Sequence, residues 1–272
     1  MSRLKTCFAE LKARSRKALI PYVMAADPVP EITLPLMHAM VDAGADIIEL
    51  GAPFSDPMAD GPVIQLAAER SLKHNTSLLD VFELVKAFRK TDDKTPVIVM
   101  GYLNPIEVMG YQKFAQLAAA SGIDGVITVD MPPVEAGDYV PALQAEALDP
   151  IFLLAPTSTT ERIKNLADIA SGFVYYVSLK GVTGAATLDV SSVEKKVAEI
   201  RQHINLPIGV GFGISDAESA AKVAASSDAV VVGSAIVKKM TLNEGKTQSE
   251  RDIIIKEISD ILSSMRAALN DI

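Results

Sequence analysis

Two carboxylates stand where a carboxylate is costly. Glu49 ends the apolar run Ile47-Ile48, and Asp60 follows in a stretch punctuated by Gly51, Pro53, Pro57 and Gly61. Burying an ionised carboxyl group among branched apolar side chains is unfavourable unless the group is paired or chemically useful. Glu49 therefore reads either as the partner of a Lys or Arg, or as a general acid/base whose pKa is raised by its neighbours. Asp60 reads either as the cap of a helix starting near Pro62, or as a second carboxylate holding a substrate against Glu49. Asp56 lies between them.

Other stretches have a composition suited to binding. Tyr175-Tyr176-Val177-Ser178-Leu179-Lys180-Gly181-Val182-Thr183-Gly184-Ala185-Ala186 is rich in small residues. It reads as a lid that excludes water from a substrate, or as an ordinary connection. Tyr175 shares strand parity with Phe173 and Val177, and is either a packing residue with a satisfied hydroxyl or part of a site. Gly209-Val210-Gly211-Phe212-Gly213-Ile214-Ser215-Asp216 and Val231-Val232-Gly233-Ser234-Ala235-Ile236 each lead into a helical pattern. Glycines let backbone approach an anion and helix-start amides can bind it, so these are phosphate sites or plain tight turns. Asp130-Met131-Pro132-Pro133 is another charged turn, or a cap for the helix that follows it. The three histidines, His38, His74 and His203, show no metal-binding spacing, and one cysteine, Cys7, allows neither an intrachain disulfide nor a multi-Cys metal site. No metal is expected.

These groups need a frame. Short apolar, β-branched runs at residues 19–24, 46–50, 96–101, 125–129, 150–154, 173–178, 207–211 and 229–233 alternate with helical patterns. Two of the latter are 32–43, with Leu36, Met40 and Ala43 on one stripe, and 193–202, with Val193, Val197 and Ile200. Continuous apolar strands belong to a parallel sheet covered by helices, and eight such units predict an α/β fold closed as a (β/α)8 TIM barrel. The dinucleotide fingerprint of an open sheet is missing after the first strand, at Met24-Ala25-Ala26-Asp27-Pro28. In such a barrel the chemistry lies at the C-terminal strand ends, where the stretches above fall. Leu4, Phe8 and Leu11 recur at helical spacing, which favours an N-terminal capping helix over a transit peptide.

No composition shift marks a linker, so one domain over residues 1–272 is expected. Hydrophobic residues make up 49% of the chain, enough for a large core, and the net charge of −8 gives no global basic surface for nucleic acid. No apolar stretch is long enough to span a bilayer, and with a single Cys the chain reads as intracellular, hence cytoplasmic.

Several motifs together resemble the tryptophan synthase alpha chain family. They are Leu19-Ile20-Pro21-Tyr22-Val23 with Asp27-Pro28, Glu49-Leu50-Gly51 with Pro53-Phe54-Ser55-Asp56-Pro57 and Ala59-Asp60-Gly61-Pro62-Val63-Ile64-Gln65, Gly101-Tyr102-Leu103-Asn104-Pro105, Asp130-Met131-Pro132, Leu154-Ala155-Pro156-Thr157, Tyr175-Tyr176-Val177-Ser178, Gly181-Val182-Thr183-Gly184 and Gly211-Phe212-Gly213-Ile214-Ser215. The resemblance implies a lyase that cleaves indole-3-glycerol phosphate to indole and glyceraldehyde 3-phosphate. It implies Glu49 as the acid/base that protonates the indole ring carbon and Asp60 as the carboxylate that binds the indole N–H. Tyr22, Met100, Tyr102, Ile127, Val129 and Phe212 match the indole pocket, and Tyr175 and Thr183 match substrate-contacting positions. Gly184, Gly213, Gly233 and Ser234 match phosphate-binding positions. Family members work in an α2β2 complex, passing indole to a beta chain that alone holds pyridoxal phosphate; Pro53, Asp56 and Asn104 look like parts of the beta-facing surface. Ala26, Ala52 and Leu179 depart from residues common in the family, and Lys180 receives no role.

Overall fold

The structure is a computed structural model and describes residues 2–178, 190–211 and 213–272. Its strands are β1 (Ala18–Met24), β2 (Ile48–Gly51), β3 (Val97–Gly101), β4 (Gly125–Thr128), β5 (Asp149–Ile151), β6 (Leu153–Leu154), β7 (Val174–Val177), β8 (Ile208–Gly211) and β9 (Ala229–Val232). Every pairing is parallel, in the order β5-β4-β3-β2-β1-β9-β8-β7-β6. The two ends of that order, β5 and β6, are separated in sequence only by Phe152, so the ring is closed by the chain itself. The fifth predicted strand is thus two short pieces of one stave, and the fold is the expected (β/α)8 barrel.

Side-chain alternation sorts residues between two cores. Leu19, Val23, Ile48, Leu50, Val97, Val99, Val210, Val230 and Val232 face outward and pack under the helices. Ala18, Ile20, Ile47, Ile98, Ile127, Ile151, Phe173, Ala229 and Val231 point into the barrel and fill it. The predicted stripes are buried: Leu36 and Met40 on the helix Pro30–Asp42, with Ala43 as its C-cap rather than within it, and Val193, Val197 and Ile200 on Val190–Arg201. The helix Arg3–Ala13, capped by Ser2, lays Leu4, Phe8 and Leu11 against the interior cluster and plugs the N-terminal end of the barrel.

That end is stitched by carboxylates. Asp46, Asp124 and Asp228 each precede a strand and accept an N–H from the neighbouring strand: Leu19 at 2.8 Å, Val97 at 2.8 Å and Ile208 at 2.9 Å. Each also meets an arginine: Arg266 at 2.8 Å, Arg89 at 2.7 Å and Arg201 at 2.8 Å, with Arg3 adding a second contact to Asp124 at 2.9 Å. The opposite end is built differently. There the helices Leu103–Met109 and Ser234–Val237 follow closely on their strands, the helix Pro62–Leu72 follows β2 after the loop 52–61, and together they wall a mouth.

Candidate active site

Glu49 is the second residue of β2, with inward parity, level with Tyr22 on β1 and Ile98 on β3. It is 1% exposed and its Oε2 has no hydrogen-bond partner. The reading of Glu49 as a Lys or Arg partner fails: no cation approaches it among the described residues. Burial, with the negative charge of Asp60 as a second cause, raises its pKa from 4.5 to about 8. At neutral pH the group is therefore a carboxylic acid.

Asp60 lies on the loop after β2. The helix Pro62–Leu72 takes Gly61 as its N-cap and has no side-chain cap, so Asp60 is not spent on the helix. Burial raises its pKa from 3.8 to about 6, and a hydrogen bond from Tyr102 acts in the opposite sense. Asp60 titrates first, while Glu49 is still neutral, which is why its charge weighs on Glu49 and not the reverse. Near pH 7 one carboxyl group is protonated and the other ionised.

Tyr102 anchors this loop. Its hydroxyl accepts the Ala59 N–H at 3.0 Å, and its ring stacks on Phe54 at 5.2 Å between centroids. The predicted pocket residue is thus also a post that sets Asp60. Its phenol is pushed above its ordinary range by burial and by Asp60.

Tyr22 and Tyr175 flank the two carboxylates. Burial holds both phenols protonated, and both feel the charges of Glu49 and Asp60, so all four belong to one site. Two glycines make room for the rings. A Cβ on Gly51 would collide with the Tyr22 hydroxyl, and one on Gly211 with that of Tyr175. The sequence signal for this was available: glycines with inward parity at strand ends.

Met100 and Ile127 are paired in register on β3 and β4 and supply apolar wall, Met100 touching both the interior cluster and the cluster around Tyr22. Val129 lies just past β4, half-buried, its N–H bonded to the Gly101 carbonyl at 2.9 Å. Gly213 has a positive φ of 76°, a conformation that favours glycine. Gly233 opens the helix Ser234–Val237, which has no side-chain cap. The helix after β8 is different: Asp216 already caps it through the Ser219 N–H at 2.8 Å. Of these two helix starts, only the Gly233-Ser234 one is left for an external anion. Thr183, Gly184, Phe212, Leu179 and Lys180 lie outside the described residues.

Pro53 is half-buried and Asp56 exposed on the loop after β2, and Asn104 is exposed in the first turn of the helix Leu103–Met109. Asp130 corrects an expectation. It accepts the Leu103 N–H at 2.7 Å and so serves the helix after β3, not the one that follows Asp130 in sequence. Proximity across the ring, invisible along the chain, decides that. A further pair was missed by sequence reasoning: buried Asp27 takes Arg70 through two bonds of 2.6 and 2.9 Å, tying the β1 loop to the helix Pro62–Leu72. Nothing in the local sequence couples these two positions. No group of three or more potential metal-binding side chains occurs among the described residues.

The site is a protonated acid and an ionised carboxylate above an apolar floor, at the barrel end where Gly233 opens a helix without a side-chain cap. Residues 8–266 match the family model of the tryptophan synthase alpha chain. The tryptophan synthase alpha chain of Thioalkalivibrio sulfidiphilus is 60% identical over 99% of this chain and 100% of its own. The crystal structure of tryptophan synthase subunit alpha from Legionella pneumophila has a TM-score of 0.91, with 44% identity and complete coverage of both chains. An aminoacrylate-bound tryptophan synthase from M. tuberculosis gives a TM-score of 0.86 at 32% identity, covering 99% of this chain and 100% of that one. The chain belongs to the tryptophan synthase alpha chain family, the lyases that cleave indole-3-glycerol phosphate.

Proposed function

We propose that this chain cleaves indole-3-glycerol phosphate with Glu49 as the proton donor to carbon and Asp60 as the stabiliser of the indole nitrogen. A retro-aldol cleavage needs a proton on the ring carbon that carries the glycerol chain, and removal of a proton from the adjacent glycerol hydroxyl. Protonated Glu49 gives the first; as a carboxylate it then takes the second, and the C–C bond breaks to aldehyde and indole. Protonating the ring carbon places positive charge on the ring nitrogen, and ionised Asp60 offsets it through the N–H. Tyr22, Met100, Ile127 and Val129 line the indole side, and Tyr175 the glycerol side. Thr183 and Phe212 join them by resemblance. Gly213, Gly233 and Ser234 hold the phosphate, with Gly184 joining them by resemblance.

The observation that carries this reading is the split of the two carboxyl pKa values to either side of neutrality within one buried site. Glu49→Gln tests it. Cleavage is lost while glycerol phosphate still binds; near-normal turnover in that variant would remove Glu49 from the mechanism.

The chain works as one barrel domain, in the cytoplasm, with a tryptophan synthase beta chain in an α2β2 complex. Support comes from Met58, Val108 and Val134, each more than four-fifths exposed on the rim that also carries Pro53, Asp56 and Asn104. Pyridoxal phosphate belongs to the beta chain, since proton transfers alone complete the alpha reaction. No helix among the described residues is long and apolar enough to cross a membrane. Indole release measured with and without a beta chain tests the partnership; equal rates would favour a stand-alone lyase.

A further inference from the structure

A second cleft of about 550 Å3 opens at the N-terminal end of the barrel, opposite the candidate active site. It lies between the end of the helix Arg3–Ala13, residues 15–17 before β1, residues 205–207 before β8 and residues 225–228 before β9. Its apolar wall is Phe8, Leu11, Leu206 and Pro207, and its charged side chains are Lys12, Arg16, Lys17 and Arg201 against Asp228, with the terminal residue Ile272 also at its edge. In a chain of net charge −8 this is a local cationic surplus.

Two of the four cations are already committed. Lys17 donates to the Ser227 carbonyl at 2.8 Å, and Arg201 to Asp228 at 2.8 Å. Asp228 takes Arg201 and the Ile208 N–H on the same oxygen, Oδ2. The other two are underused. Lys12 is exposed, with no partner among the described residues. Arg16 reaches Asp46 only at 3.8 Å, because Arg266 holds that carboxylate at 2.8 Å. The Arg16 Nε is shielded from solvent and unbonded. The Arg16 side chain as a whole is one-third exposed and lines the cleft, so its outer guanidinium can take an incoming oxygen without breaking a short ion pair. The volume falls within the range of small-molecule sites, which join an apolar wall to a few convergent polar groups.

We infer that this cleft binds a small organic anion, its phosphate or carboxylate group between Lys12 and Arg16 and its apolar body against Phe8, Leu11, Leu206 and Pro207. The site stands apart from the catalytic one, and its test does not depend on the catalytic roles proposed above. Calorimetric titration of the full chain with phenyl phosphate counts the equivalents bound, in parallel with Lys12→Glu, Arg16→Gln and Ser234→Asp, the last of which sets a like charge in the catalytic phosphate seat. The expected result is one equivalent that survives Ser234→Asp but weakens about tenfold or more, some 1.4 kcal/mol, in Lys12→Glu and in Arg16→Gln. Inorganic phosphate, which leaves the apolar wall unused, binds that site more weakly than phenyl phosphate. Lys12 is exposed, so its variant keeps the fold, and circular dichroism verifies this. If no equivalent responds to Lys12→Glu, or if the responsive one is also lost in Ser234→Asp, the site does not exist as described.

Discussion

The two ends of the barrel treat buried carboxylates in opposite ways. At the N-terminal end, Asp46, Asp124 and Asp228 each accept a strand N–H and face an arginine. At the C-terminal end Glu49 is more deeply enclosed than Asp46 or Asp228, yet it has one oxygen without any partner and no cation among the described residues. A satisfied carboxylate fastens strands together; an unsatisfied one is held in its acid form and is available for proton transfer. The difference teaches that burial alone does not mark a catalytic group. Burial without compensation beside a second carboxylate, as Glu49 has in Asp60, does.

Perturbing each end separates the two roles. The largest effect expected is on turnover: Asp60→Ala lowers kcat by roughly a hundredfold, about the contribution of one preorganised electrostatic group, with little change in affinity for glycerol phosphate. An unchanged kcat would leave Asp60 with no chemical role. Asp124→Ala, at the other end, strands Arg89 and costs on the order of 3–5 kcal/mol in denaturant unfolding, as removal of one member of a buried pair does. Its kcat/KM stays near that of the native chain. A large kcat/KM loss in the folded variant would mean that the two ends are not separable.

Glu49→Gln moves stability the other way. The folded pKa of Glu49 lies near 8, above its ordinary 4.5, so the stability linked to its protonated form is present below pH 4.5 and lost as pH rises through 8. Glutamine does not ionise. The variant's Tm relative to the native chain therefore rises between pH 5 and pH 9, and a constant difference across that range would show that Glu49 is not desolvated. The same values shape the rate. Activity climbs as Asp60 ionises through about 6 and falls as Glu49 loses its proton through about 8, giving a bell in kcat/KM centred near neutrality.

The smallest effect is the most diagnostic of how the loop is held. Tyr102→Phe keeps the stack on Phe54 and removes the hydroxyl that serves Ala59 and Asp60. The expected outcome is a loss of a few-fold in kcat, in line with one ordinary hydrogen bond, and an acid limb displaced to higher pH. An unmoved acid limb would reduce Tyr102 to an apolar wall.

Much of this architecture is legible along the chain because it is local. Eight apolar runs announce the staves, and the stripes of Leu36 and Met40 or Val193 and Val197 announce the covering helices. Glu49 is conspicuous because Ile47 and Ile48 precede it. What escapes is whatever closes across the ring. Asp130 serves Leu103, Asp27 takes Arg70, and Gly51 and Gly211 yield space to Tyr22 and Tyr175. The arginines that satisfy Asp46 and Asp124, Arg266 and Arg89, are distant in sequence, so the contrast between the two ends exists only in the folded molecule. The break at Phe152 is equally invisible, since the fifth stave reads as one apolar run.

The central claim is that Glu49 rests as a neutral acid at physiological pH. Carbon-13 NMR of glutamate-labelled protein, with Glu49→Gln as the difference spectrum, follows its carboxyl carbon directly through a pH titration. A midpoint near 8 is predicted, and a midpoint near the ordinary 4.5 would contradict the account.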